Sequence, residues 1–101
     1  LGICRGMQVM AKWGGAELKP VTDHARTRHK IKGEVVGNVN SYHRFSITDA
    51  PANSKIIARS EDGEIEAIKN ILVPWEGWMW HPEREGKFSR RDTNRFQRLL
   101  K

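Results

Sequence analysis

Five residues near the start of the chain, Gly2-Ile3-Cys4-Arg5-Gly6, restrict the fold more than any other stretch. They set the only cysteine of the 101 residues between two glycines. G-x-C-x-G has the layout of a nucleophile elbow, with cysteine in the serine position. Such an elbow is a sharp turn from strand into helix that holds the nucleophile in a strained backbone conformation. Side chains two residues to either side would collide, so Gly2 and Gly6 remove them. The helix that follows aims its N-terminal N–H groups at the sulfur, which favours thiolate over thiol. The Arg5 N–H is set to donate to an oxyanion, and Gln8, at i+4, shares the helix face of Cys4. A lone cysteine is also commonly a small buried apolar residue. The elbow gains catalytic meaning only with a base elsewhere in the chain.

The local pattern supports the strand–helix reading. Residues 1–3 read as a strand end and 5–13 as a helix, with Met7, Met10 and Ala11 at helical spacing and Gly14-Gly15 as its stop. Residues 16–23 read as a loop, 24–32 as a strand with a polar face, Gly33 as a turn and 34–40 as a strand. Asp62-Gly63 between 54–60 and 64–70 is a hairpin signal. The apolar stretch 71–83 reads as a strand interrupted around Pro74 and Gly77 and ended by Pro82. Ser89-x-x-Asp92 has capping-box spacing ahead of a closing helix with an apolar stripe of Phe96, Leu99 and Leu100. No repeat or linker divides the chain.

Four histidines are candidates for the base. His24 and His29 lie in a polar, basic stretch that reads as surface. His43 follows Asn40-Ser41-Tyr42. His81 precedes Pro82 and Glu83, and proline biases it to an extended conformation in which residues i and i+2 face the same way. Glu83 is then set to fix the imidazole tautomer and stabilise its charged form. A Cys–His pair with an orienting acid is the arrangement for thiol acyl transfer. The bland reading of His81 is an ordinary surface pair at a strand end.

Charge raises a second class. The net charge is +6, with residues 12–32 carrying six Lys/Arg against two acids and 84–101 carrying seven against two. Basic patches with four tryptophans suit a nucleic-acid-binding domain. Trp75, Trp78 and Trp80, however, cluster in an apolar stretch better explained as strand and core, so a nucleic-acid partner is not expected. A metal site of Cys4, His24, His29 and His43 fits no common zinc spacing. No metal and no organic cofactor are expected. No apolar run approaches the roughly 18–20 residues of a membrane span. One cysteine forms no internal disulfide, and no signal-peptide pattern is present, so a cytoplasmic setting is expected.

The motifs GICRGMQ, VNSYH, DGEIEAI and WMWHPE, in this order and spacing, resemble class I glutamine amidotransferases, closest to the stand-alone γ-glutamyl hydrolase branch (peptidase family C26). The resemblance covers essentially the whole chain. It implies an α/β, flavodoxin-like three-layer sandwich with a mostly parallel sheet. It makes Cys4 the nucleophile, His81 the base and acid, and Glu83 the third member of a triad, with the Arg5 N–H at the oxyanion. Gln8, Asn40, Ser41, Tyr42 and His43 match positions that hold the glutamyl group. The implied activity is hydrolysis of a γ-glutamyl amide through a thioester on Cys4, with a small γ-glutamyl compound as substrate. A glutaminase module supplying ammonia to a synthetase shares all these residues. The family usually has glutamine or an aliphatic residue where Met79 or Trp80 stands. It also has roughly as many residues again before the elbow. Residues 1–101 therefore read as the C-terminal half of the domain, lacking its first strands and second oxyanion donor. The missing half or another chain is expected to complete it.

Overall fold

The computed structural model describes residues 1–87 and 89–99. Strand β1 (Gly2–Ile3) runs into helix α1 (Arg5–Trp13), followed by β2 (Leu18–Pro20), β3 (Thr27–Gly33), β4 (Gly37–Ser41), β5 (Phe45–Ile47), β6 (Ser54–Ser60), β7 (Ile65–Asn70) and β8 (Glu76–Trp78). A 3₁₀ turn (Pro82–Arg84) and helix α2 (Arg90–Leu99) close the chain. The elbow helix has the expected bounds and ends where the Gly14 and Gly15 N–H groups turn back onto the Met10 and Lys12 carbonyls. The part of the stripe at Leu100 lies outside the described residues.

Six strands form one mixed sheet in the order β1-β8-β7-β6-β3-β4, and β2 and β5 form a separate antiparallel pair. The α/β class holds. Among the described strands the parallel pairing is confined to β1 and β8, with Gly2 opposite Gly77 and Ile3 opposite Trp78. The remaining pairs are antiparallel because short turns join most of them. The β6–β7 hairpin closes at Asp62-Gly63, with Gly63 at φ 87° and its N–H donating to the Ser60 carbonyl.

The sheet is covered on both faces. One face buries Met7 and Ala11 of α1 with Ile47, Ile65, Ile68 and Met79. The other buries Ile31, Val39, Ile57, Ala67, Trp78 and Trp80. Strand β7 therefore lacks polar alternation, because Ile65, Glu66, Ala67 and Ile68 are all buried. Gly77 lets α1 lie close on β8, since a Cβ there would stand 2.7 Å from Met7 Cγ. Four expectations change, the first being that the strand read over 24–32 runs over Thr27–Gly33, with Gly33 its last residue. The loop at 16–23 contains β2. The strand expected over 34–40 starts only at Gly37, after a bend. The stretch 71–83 is strand only over Glu76–Trp78, because Ile71–Val73 turn outward, with Asn70 Oδ1 accepting from the Leu72 and Val73 N–H groups. Helix α2 docks through polar contacts: Trp80 Nε1 donates to Asp92, Arg95 pairs with Glu76 at 2.6 Å, and Phe96 stays exposed. Its start is capped as expected by Ser89, whose Oγ accepts from the Asp92 N–H at 3.1 Å.

Candidate active site

Cys4 sits on the turn between β1 and α1 at φ 50° and ψ −100°. Such a backbone costs a non-glycine residue about 1–3 kcal/mol and persists only where the surroundings fix it. Here the Cys4 N–H donates to the Trp78 carbonyl at 2.6 Å, and the Cys4 carbonyl accepts from the Gln8 N–H at 3.0 Å. The residue is thus held by β8 on one side and by the first turn of α1 on the other. Gly2 is required: a Cβ there would meet Met10 Sδ at 2.5 Å and the Gly6 carbonyl carbon at 2.9 Å. Gly6 is not required for this reason, because a Cβ on it meets nothing within 4 Å.

The thiol is nearly buried, and burial pushes its pKa up. The Arg5 N–H, hydrogen-bonded to the sulfur, and the charges of Arg84 and Arg5 pull the other way without overcoming it. The sequence expectation of a favoured thiolate is thereby corrected. The helix N-terminus is present, but desolvation outweighs it.

Past the end of β8 at Trp78, the chain carries His81 to the same carboxyl end of the parallel pair as Cys4. His81 Nδ1 lies 2.7 Å from Glu83 Oε2, the i, i+2 pairing read from the sequence. A carboxylate only accepts, so Nδ1 carries the proton and Nε2 is left as the free base position. The His81 backbone is gripped by Asn40, and the Tyr42 and His81 rings stand nearly perpendicular with centroids 5.9 Å apart. The Arg84 guanidinium lies over the Tyr42 ring, 4.5 Å from its centroid.

The residues matched to glutamyl binding divide differently from the expectation. Asn40 is spent on His81. Ser41 is buried and donates to the His24 carbonyl at 2.6 Å. His43 is buried, with Nδ1 donating to the Phe45 carbonyl at 2.9 Å. Gln8 Nε2 donates to the same carbonyl at 3.1 Å and is only partly buried. From the 40–43 segment, the Tyr42 side chain is the one left exposed. His24, expected at the surface, is fully buried, with Ser41 and His43 both donating to its carbonyl and its Nε2–H donating to the Asp62 carboxylate. Of the three tryptophans read as strand and core, Trp75 is instead half exposed, and Trp78 and Trp80 lie inside. Both are buried and stacked on each other, 5.2 Å between centroids. Among the described residues no helix is long and apolar enough to cross a membrane.

A strained cysteine at a strand–helix turn, set beside a strand that is followed by a His–Glu pair, defines an α/β protein of the thiol-elbow type. The family model "Glutamine amidotransferase class-I" matches residues 1–97, and the chain belongs to that family. It is 32% identical over 85 residues to a γ-glutamyl-CDP-amidate hydrolase of Campylobacter jejuni, covering 84% of this chain and 42% of that protein. It is 32% identical over 93 residues to a glutamine-hydrolysing GMP synthase subunit of Ignicoccus hospitalis, covering 82% of this chain and 50% of that protein. The chain thus spans half or less of the length of these relatives. The crystal structure of a GMP synthase subunit from Thermoplasma acidophilum shares the fold, with a TM-score of 0.83 at 19% identity over 98% of this chain and 54% of that one.

Proposed function

We propose that Cys4, His81 and Glu83 are the reacting triad of a γ-glutamyl amide hydrolase that works through a thioester. The observation that carries this reading is the strained Cys4 backbone at the carboxyl end of the only parallel strand pair among the described residues, beside the strand that delivers His81 and Glu83. Strain of that kind is retained where it aims a side chain.

The chemistry follows from the groups present. His81 Nε2 takes the Cys4 proton as the sulfur attacks the γ-carbonyl carbon. The Arg5 N–H donates to the resulting oxyanion. The C–N bond breaks as the imidazolium gives its proton to the leaving nitrogen, which leaves a γ-glutamyl thioester. His81 then removes a proton from water, hydroxide adds to the thioester, and glutamate leaves as the Cys4 thiol is restored. Glu83 stabilises the imidazolium in both halves. A second oxyanion donor has no candidate among the described residues, and none of these steps needs a metal or cofactor.

Two leaving groups fit this site. The Campylobacter jejuni relative, by its name, hydrolyses a γ-glutamyl-CDP-amidate, and by that analogy the chain cleaves a substituted γ-glutamyl amide. The GMP synthase relatives, and an aminodeoxychorismate synthase of Streptomyces griseus at 35% identity over 96 residues, fit a glutaminase module that hands ammonia to a synthetase. The whole protein should be treated with a diazo-ketone glutamine analogue and digested, and its turnover of glutamine and of γ-glutamyl amines compared. Labelling of Cys4, and no turnover by Cys4→Ala, is the expected result. Amide hydrolysis retained by Cys4→Ala would end the proposal.

A further inference from the structure

One buried side-chain cluster takes no part in the reaction above. His24, before β3, His43, between β4 and β5, and Glu66, on β7, are at most 3% exposed. His24 Nδ1 stands 3.2 Å from His43 Nε2. Glu66 Oε2 stands 3.4 Å from His43 Nε2 and 3.8 Å from His24 Nδ1.

The hydrogen bonds on the far side of each ring fix where the protons are. His43 Nδ1 faces the Phe45 carbonyl, which only accepts, so Nδ1 carries the hydrogen. His24 Nε2 faces the Asp62 carboxylate at 2.6 Å, and that carboxylate also accepts from Ser60 Oγ, so Nε2 carries the hydrogen. With both rings neutral, the inward nitrogens are lone pairs. They face each other and a carboxylate whose two oxygens are buried with no hydrogen-bond partner. Three acceptors with no donor among them is a costly arrangement. One added proton bridges a single pair of these atoms, whereas a cation between them satisfies all three.

We infer that His24 Nδ1, His43 Nε2 and the Glu66 carboxylate bind one divalent zinc-class ion, with Asp62 and the Phe45 carbonyl orienting the two histidines. A tetrahedral ion with bonds of about 2.0–2.1 Å sets its ligand atoms about 3.3 Å apart. Two of the three separations already match, and a small turn of the Glu66 carboxylate closes the third. Two histidines and one glutamate are an established zinc ligand set. The Asp62–His24 contact is the carboxylate–histidine pairing that holds a ligating imidazole in place. With Glu66 and Asp62 each contributing one negative charge, the loaded site is neutral. Cys4 and His29 are not part of this group. The ion ties the His24 segment and the β4–β5 turn to the central strand β7, and it acts on stability rather than on the thiol.

The full chain, stripped with chelator, is titrated with zinc and with cobalt(II), followed by calorimetry and by visible absorption. The expected result is one ion per chain, a tetrahedral cobalt spectrum without a thiolate charge-transfer band, and the same stoichiometry in Cys4→Ser. Asp62→Asn, at the exposed hairpin turn, should fold by circular dichroism and bind about 10–100-fold more weakly. Folded Glu66→Gln should lose the site. No stoichiometric binding by the wild-type chain, loss of binding in Cys4→Ser, or unchanged affinity in Asp62→Asn would each overturn the inference. So would a melting temperature that follows pH and ignores zinc, since the cluster then holds a shared proton.

Discussion

Asn40 grips His81 by both polar groups of its backbone. Asn40 Nδ2 donates to the His81 carbonyl at 2.7 Å, and the His81 N–H donates to Asn40 Oδ1 at 2.8 Å. The contact joins β4 to the segment beyond β8, 41 residues on, and the asparagine is buried. His81 leaves the sheet here and has no ladder partner, so the carboxamide substitutes for a neighbouring strand. Glu83 then fixes the ring and Asn40 fixes the backbone that carries it.

Replacing Asn40 by leucine keeps the volume and removes both bonds. It leaves the His81 N–H unpaired, a cost of about 1–3 kcal/mol where that group is buried, while the carbonyl keeps the Arg84 N–H at 3.0 Å. Displacement of the imidazole by an ångström costs about 10² in rate. In Asn40→Leu, kcat should fall by that order with little change in KM, while labelling of Cys4 persists. A variant with wild-type kcat would show that the clamp does not position His81.

The two elbow glycines should part company under substitution. Gly2→Ala brings a methyl within 2.5 Å of Met10 Sδ and 2.9 Å of the Gly6 backbone, and the second of these cannot rotate away. The elbow turn should open, with lost stability and lost turnover together. Gly6→Ala meets nothing within 4 Å and lies inside α1, where alanine stabilises by about 0.5–1 kcal/mol over glycine. Its folding stability should match or exceed wild type by chemical denaturation. Equal destabilisation of the two variants would contradict this packing.

How far the residues foretold the structure depends on the range of the interaction. The elbow, its helix, the Asp62-Gly63 hairpin and the His81–Glu83 pair are set within a few residues of sequence, and each was legible. The β2–β5 pair was not, because Lys19 pairs with Ser46 across 27 positions and neither strand has more than three residues. His24 carries no apolar periodicity. Its burial depends on Ser41, His43 and Asp62, all distant in sequence. Asn40 reads from family resemblance as holding the glutamyl group, and its side chain instead bonds the His81 backbone. Its partner, the His81 backbone, has no signature in sequence at all.

Strand β1 pairs only with β8, so its other edge is open among the described residues. Beside it, Leu1, Met10 and Trp75 line a shallow surface that continues through Val9 and Trp13. Trp13 is 85% and Val9 63% exposed. An open edge next to an apolar band pairs readily with another chain. Residues 1–101 purified alone should therefore self-associate in light scattering, and Val9→Lys with Trp13→Glu should reduce this without altering circular dichroism. A wild-type monomer at high concentration would contradict it.

The raised Cys4 thiol has a definite pH signature. The folded state holds the proton more tightly than the unfolded chain, whose thiol keeps the ordinary value of 9.0. The stabilisation is then fully present below that pH and is lost as pH rises through the higher folded value. Denaturation midpoints should fall more steeply above pH 9 for wild type than for Cys4→Ser. Alkylation by iodoacetamide without substrate should likewise keep accelerating above pH 9, since only the thiolate reacts. Cys4 is on this account not a preformed thiolate. Under the proposed mechanism its proton passes to His81 during attack, as the oxyanion develops at the Arg5 N–H. A rate that levels off near neutral pH would mean a standing thiolate–imidazolium pair, and the desolvation around Cys4 would then be outweighed by His81.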